Sequence, residues 1–167
     1  MKKEFLNQLI NFFWTILCFA SVFSFWFFAG LSLWFYAFLG VSFLSGLVPS
    51  RFFRLSNNPQ FYEKLGARWI RKFVQNGDLV NLLTKNQEVS TRSITDKNDV
   101  AKYLKTISMY EKYHFICFIF FSLSGIFAVF QQSFFYFILI LASNILYNVG
   151  PVILQQYNRA RIFKLKR

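Results

Sequence analysis

Glu111 and His114 stand three residues apart, where a charged stretch of the chain gives way to an apolar one. At that spacing two side chains share a helical face. A carboxylate there could fix an imidazole in one tautomer and raise its basicity, as a general base requires. Histidine is the side chain whose ordinary pKa falls nearest cellular pH, and the chain has only one. The same pair would also suit a helix entrance that simply faces water, and spacing leaves both readings open. A second set, Asn144, Asn148, Pro151, Gln155 and Asn158, recurs at intervals of four, three, four and three. Amides turned to lipid are costly, so this stripe should face other helices or a polar cavity. There it would either bond neighbouring helices or meet a ligand. The third set is Gln155-Gln156-Tyr157-Asn158-Arg159-Ala160-Arg161, with Arg68 and Arg71 as further cations. Guanidinium groups bind phosphate through two parallel bonds, which suits a phosphopantetheine or nucleotide phosphate. A basic flank that stops membrane transfer is the plainer alternative.

The elements that must position these residues are set by where charge is missing. All 26 Lys, Arg, Asp and Glu residues fall outside two runs of 46 residues, 5–50 and 113–158. A helix crosses the hydrocarbon core in about 20 residues, so each run suits two crossings and a tight turn. The composition agrees: 55% hydrophobic and 22% aromatic, with 25 Phe. The net charge of +12 is distributed by topology, since 12 of 19 basic residues lie in 51–112, five in 159–167 and two at Lys2 and Lys3. Four crossings put all three basic segments on one side, which the positive-inside rule makes cytoplasmic. No nucleic-acid-binding module accompanies the charge, and anionic lipid is its expected partner.

The expected fold is therefore all-α. It is a polytopic membrane protein with four transmembrane helices in two hairpins, 8–28, 31–47, 114–130 and 134–155. An interfacial amphipathic helix covers 59–75, opened by Asn57-Asn58-Pro59 and closed at Asn76-Gly77. A cytoplasmic loop covers 85–98, and Asp96 to Asp99 cap the helix that follows. The whole of 1–167 reads as one membrane domain, multi-pass in the cell membrane with both termini cytoplasmic. The apolar run after Lys3 far exceeds a signal peptide's core, so the first helix is expected to be retained. Cys18 and Cys117 lie in apolar runs and suggest neither a disulfide nor a zinc site. Cys117 as a thiol nucleophile beside His114 is a minor alternative.

Taken in order, several motifs resemble a known family. They are Tyr62-Glu63-Lys64-Leu65-Gly66-x-Arg68-Trp69 with Gly77-Asp78 beyond, Glu111-x-x-His114, and Asn148-x-x-Pro151 leading into Gln155-x-Tyr157-Asn158-Arg159-x-Arg161. The series, over roughly 46–165, resembles the glycosyl-4,4'-diaponeurosporenoate acyltransferases. These are small integral membrane proteins that esterify a sugar hydroxyl of a glycosylated carotenoid with a fatty acyl chain. The chain departs from the family at Arg159-Ala160-Arg161, where Arg-Pro-Arg is common, and at 69–74.

The resemblance implies transfer of an acyl group from a thioester, on coenzyme A or a carrier protein, to a hydroxyl of a lipid or glycolipid acceptor. His114 would be the base and Glu111 its orienting partner. Asn148 or Asn158 would face the developing oxyanion, and Arg68, Arg159 and Arg161 would hold the donor's phosphates. Trp69, Gln155 and Tyr157 complete the expected substrate-binding set. The thioester is a co-substrate; no resident cofactor and no metal are implied, and the oligomeric state is not readable. Methyl transfer, and a non-catalytic membrane subunit or lipid-binding scaffold, are the alternatives.

Overall fold

The uncharged stretch between Glu4 and Gly30 holds neither proline nor glycine. In the computed structural model, which describes residues 3–74 and 97–165, this run forms α1, Lys3–Ala29. Gly30 adopts φ +81°, a left-handed turn that a side chain would disfavour, and α2, Leu33–Ser45, follows. At about 1.5 Å per residue, the 27 residues of α1 exceed a hydrocarbon core of roughly 30 Å, whereas the 13 of α2 cover about 20 Å. The expected second crossing, 31–47, is thus shorter in the fold. Past Ser45 the chain tightens into three-residue turns, with Gly46 N–H bonding Phe43 O and Leu47 N–H bonding Leu44 O, before Pro49 interrupts it.

Asn58 caps α3, Pro59–Lys64, its Oδ1 accepting from Gln60 N–H at 3.0 Å. The expected continuous helix over 59–75 does not form. Gly66 turns left-handed at φ +84°, and the chain restarts as α4, Ala67–Ile70, followed by a 3-10 turn, Arg71–Phe73. The break has a packing reason. It lets Tyr62 and Ala67, on either side of it, both bury against Leu154, Tyr157 and Ala160. On a single straight helix these two residues, five apart, would point about 140° away from each other. Most of the expected cytoplasmic loop, together with Asn76-Gly77-Asp78, lies outside the described residues, and Lys97 already belongs to the next helix.

That helix, α5, runs Lys97–Phe130 without a break. A tight turn with Gln132 at φ 56° leads into α6, Phe134–Asn144. A π turn, Ile145–Val149, joins α6 to α7, Gly150–Leu165. Pro151 has no N–H to offer the carbonyl four residues back. The wider turn just before it reaches one residue further, with Gly150 N–H bonding Ile145 O. Among the described residues every element is helical. Three helical stretches, Glu4–Ala29, Val100–Phe130 and Phe134–Lys164, are long and apolar enough to cross a membrane.

The core joins α1 to α5 and α6. Val22, Phe25 and Trp26 pack on Phe120, Phe121, Ala128 and Ile140. Trp26 is fully buried, its indole N–H donating to Ser124 Oγ at 3.0 Å and its ring stacked on Phe127. Outside that core the apolar side chains turn outward, Leu33 at 83% exposure and Phe27 and Phe130 at 80%. Such surfaces suit lipid rather than water.

Candidate active site

Glu111 of α5 and Arg159 of α7 are both buried, at 1% and 7% exposure. The guanidinium spans the carboxylate: Nε donates to Oε1 at 3.1 Å and Nη2 to Oε2 at 2.5 Å. The expected carboxylate–imidazole pairing is thereby replaced by a carboxylate–guanidinium one. The physical reason is desolvation. A buried carboxylate needs a full opposing charge, and the guanidinium fork matches both oxygens at once. Arg159 is accordingly withdrawn from the phosphate-holding role expected of it.

His114 lies one turn further along α5, half-buried, with its ring edge-on to Tyr113 and Tyr147 at 5.1 and 5.4 Å. Its Nδ1 is buried without a hydrogen-bond partner, and so is Oδ1 of Asn148. Asn148 is fully buried in the π turn. Its amide and the Tyr147 carbonyl border the imidazole. Asn148 Nδ2 donates to Asn144 Oδ1 at 2.8 Å, and Asn144 Nδ2 donates to Ser122 Oγ and Phe118 O at 3.0 and 3.2 Å. The upper part of the predicted amide stripe therefore bonds helix to helix and also reaches the histidine.

Beside this cluster runs an apolar groove of about 420 Å³, walled by Thr15, Ile16, Phe19, Ala20 and Phe23 of α1 and by Tyr113. Hydroxyls mark its polar end: Tyr147 OH lies 2.9 Å from Thr15 Oγ1 and 3.2 Å from Tyr113 OH.

A second hollow, about 470 Å³, is lined by Glu63, Arg68, Arg71, Lys72, Tyr157 and Arg161, four cations to one carboxylate. Arg68 Nη2 lies 2.9 Å from Glu63 Oε2, Tyr157 OH donates to Glu63 Oε1 at 2.9 Å, and the Arg161 guanidinium sits over the Tyr157 ring. Of the residues expected to contact substrate, Arg68, Tyr157 and Arg161 meet here. Trp69 does not: it is exposed, packs on Phe73 and lines neither hollow. Gln155 and Asn158 are half-buried, and their side chains hydrogen-bond to no described residue.

The hydrogen bond from Tyr157, followed by Arg68, holds the Glu63 carboxyl below its ordinary range. A depressed carboxylate contributes stability above its unfolded pKa and loses it as pH falls through the folded value. Tyr157→Phe is expected to raise the Glu63 pKa toward the ordinary carboxylate value of about 4.3, moving that acid-side loss to higher pH. A carbon-13 carboxyl titration would read it, and an unmoved Glu63 would contradict this attribution.

Gln156 is expected only as a member of the 155–161 set, and Tyr62 and Glu63 only as motif residues; none of the three has an expected role of its own. Gln156 is buried and ties the segment before α3 to α7. Its Nε2 donates to Phe53 O at 3.1 Å, and its Oε1 accepts from Leu55 N–H at 3.1 Å and lies 3.0 Å from Tyr62 OH. No signal in the sequence separates it from its neighbour Gln155. Among the described residues no three His, Cys, Asp or Glu side chains gather as a metal ion would need.

Membrane-length helices, lipid-suited outer faces and a histidine between an apolar groove and a buried ion pair define a small helical membrane protein with a polar cleft. The family follows from comparison with family models. Residues 49–167, well over half of the chain, match glycosyl-4,4'-diaponeurosporenoate acyltransferase, and the chain belongs to that family. It is an acyltransferase of carotenoid biosynthesis, as the motif resemblance implied. No curated protein and no solved structure matches it.

Proposed function

We propose that the chain moves a fatty acyl group from a thioester, on coenzyme A or a carrier protein, to a hydroxyl of a lipid acceptor such as a glycosylated carotenoid. The reaction takes place at the cytoplasmic face of the cell membrane, in one four-crossing membrane domain with both termini inside. The observation that carries this reading is His114, which has a buried, unpartnered nitrogen and sits beside a groove shaped for an apolar chain. His114 takes the acceptor's hydroxyl proton as the oxygen attacks the thioester carbonyl. The tetrahedral intermediate collapses by breaking the carbon–sulfur bond, and the imidazolium returns the proton to the leaving thiolate.

Neither asparagine stands free beside the histidine for the oxyanion: the Asn148 amide already donates to Asn144, and Asn158 lies ten residues on, about 15 Å of helical rise. Arg68 and Arg161, with Arg71 and Lys72 in the same hollow, hold the donor's phosphates. Arg159 instead neutralises Glu111 and keeps α5 and α7 in register. The test supplies membranes carrying the full chain with labelled acyl-coenzyme A or acyl carrier protein and a glycosylated carotenoid. Labelled ester is the expected product. Absence of ester from both donors, with the chain folded and inserted, would overturn the assignment.

A further inference from the structure

The orientation of two buried amides is fixed by a carbonyl. Phe118 O can only accept, so the Asn144 atom facing it at 3.2 Å is the amide nitrogen. Asn144 Oδ1 must then accept, and it does so from Asn148 Nδ2 at 2.8 Å. Asn148 is left with its oxygen as the free end of the chain of bonds, buried and unpartnered. The imidazole it borders presents a buried, unpartnered Nδ1. The other group against the ring, the Tyr147 carbonyl, is also an acceptor, and Pro151 four residues on gives it no N–H. A neutral imidazole has one N–H and one lone pair. Both polar groups that border the ring among the described residues offer it acceptors, so the proton belongs on the buried nitrogen.

We propose that Asn144 and Asn148 are positioning residues that hold His114 in the Nδ1–H tautomer, so that Nε2 presents its lone pair to the acceptor hydroxyl. The orienting role that spacing suggested for Glu111 passes to this asparagine pair on the facing helix. The catalytic meaning of the inference rests on His114 being the base, but the tautomer can be measured without that assumption. Because the chain has a single histidine, nitrogen-15 histidine labelling of the full chain in lipid nanodiscs reports this ring alone.

Above the pH where the ring titrates, the wild type is expected to give a protonated, pyrrole-type Nδ1 and a pyridine-type Nε2. Asn148→Leu removes the acceptor, and Asn144→Leu frees Asn148 to turn over. Each is expected to shift the two signals toward a tautomer mixture and to lower kcat about tenfold or more, with KM nearly unchanged. Asn148→Asp keeps an acceptor toward the ring and is expected to restore most of the Nδ1–H signature. A wild-type ring protonated on Nε2 would overturn the inference without any variant having to fold. So would leucine variants whose tautomer is unchanged, or an aspartate variant no better than leucine. Ester formation surviving in His114→Ala is a separate failure, because it removes the base assignment and leaves the tautomer result standing.

Discussion

Glu111→Ala is expected to lower folding stability by about 3–5 kcal/mol, the cost of leaving a buried charge without its partner. Arg159 has only 7% exposure, and its Nε and Nη2 are aimed at the lost carboxylate, so water cannot readily replace it. Glu111→Gln keeps an acceptor in place and should lose less. The informative variant removes both partners. Glu111→Leu combined with Arg159→Met takes both charges out together and should recover most of the loss, because desolvation is then no longer opposed. Denaturant unfolding in detergent, followed by tryptophan fluorescence, would rank the three. A double variant as unstable as Glu111→Ala, or a harmless Glu111→Ala, would show that the pair does not hold α5 to α7.

His114→Ala should leave the fold largely intact and reduce ester formation by about 10²–10⁴-fold, the usual contribution of a positioned base. That is roughly 3–5 kcal/mol of transition-state stabilisation. The ring packs edge-on against Tyr113 and Tyr147 and borders the Asn148 amide and the Tyr147 carbonyl, so its removal strands at most those two acceptors and no charge. Initial rates with labelled acyl donor, normalised to inserted protein, would measure the effect. Undiminished ester would exclude His114 as the base and move attention to the hydroxyls of Tyr113 and Tyr147.

The pattern of charge was enough to find the long helices, because lipid tolerates no ionised side chain on an outward face. The asparagine cap and following proline located the start of α3 for an equally local reason, the first-turn N–H groups needing an acceptor. Gly66 was not legible as a break. The apolar period runs straight through it, and only the competing burial of Tyr62 and Ala67 against α7 decides the matter. The partner of Glu111 was missed in the same way. Spacing within one helix sees neighbours three and four residues away, whereas the group that captured the carboxylate lies 48 residues on. Asn148 was picked out by its stripe, but its link to the imidazole depends on how the π turn before Pro151 presents it.

The family match begins at residue 49, after α1 and α2 have ended. Yet Trp14 donates to Phe73 O, Thr15 meets Tyr147, and Trp26 anchors the aromatic core shared with α5. The leading hairpin is therefore masonry rather than mooring. A graft of 49–167 onto some other anchor would carry the reacting groups but lack the wall that an acceptor's hydrocarbon must lie against. Chimeras that exchange only α1 are the place to look for altered choice of lipid.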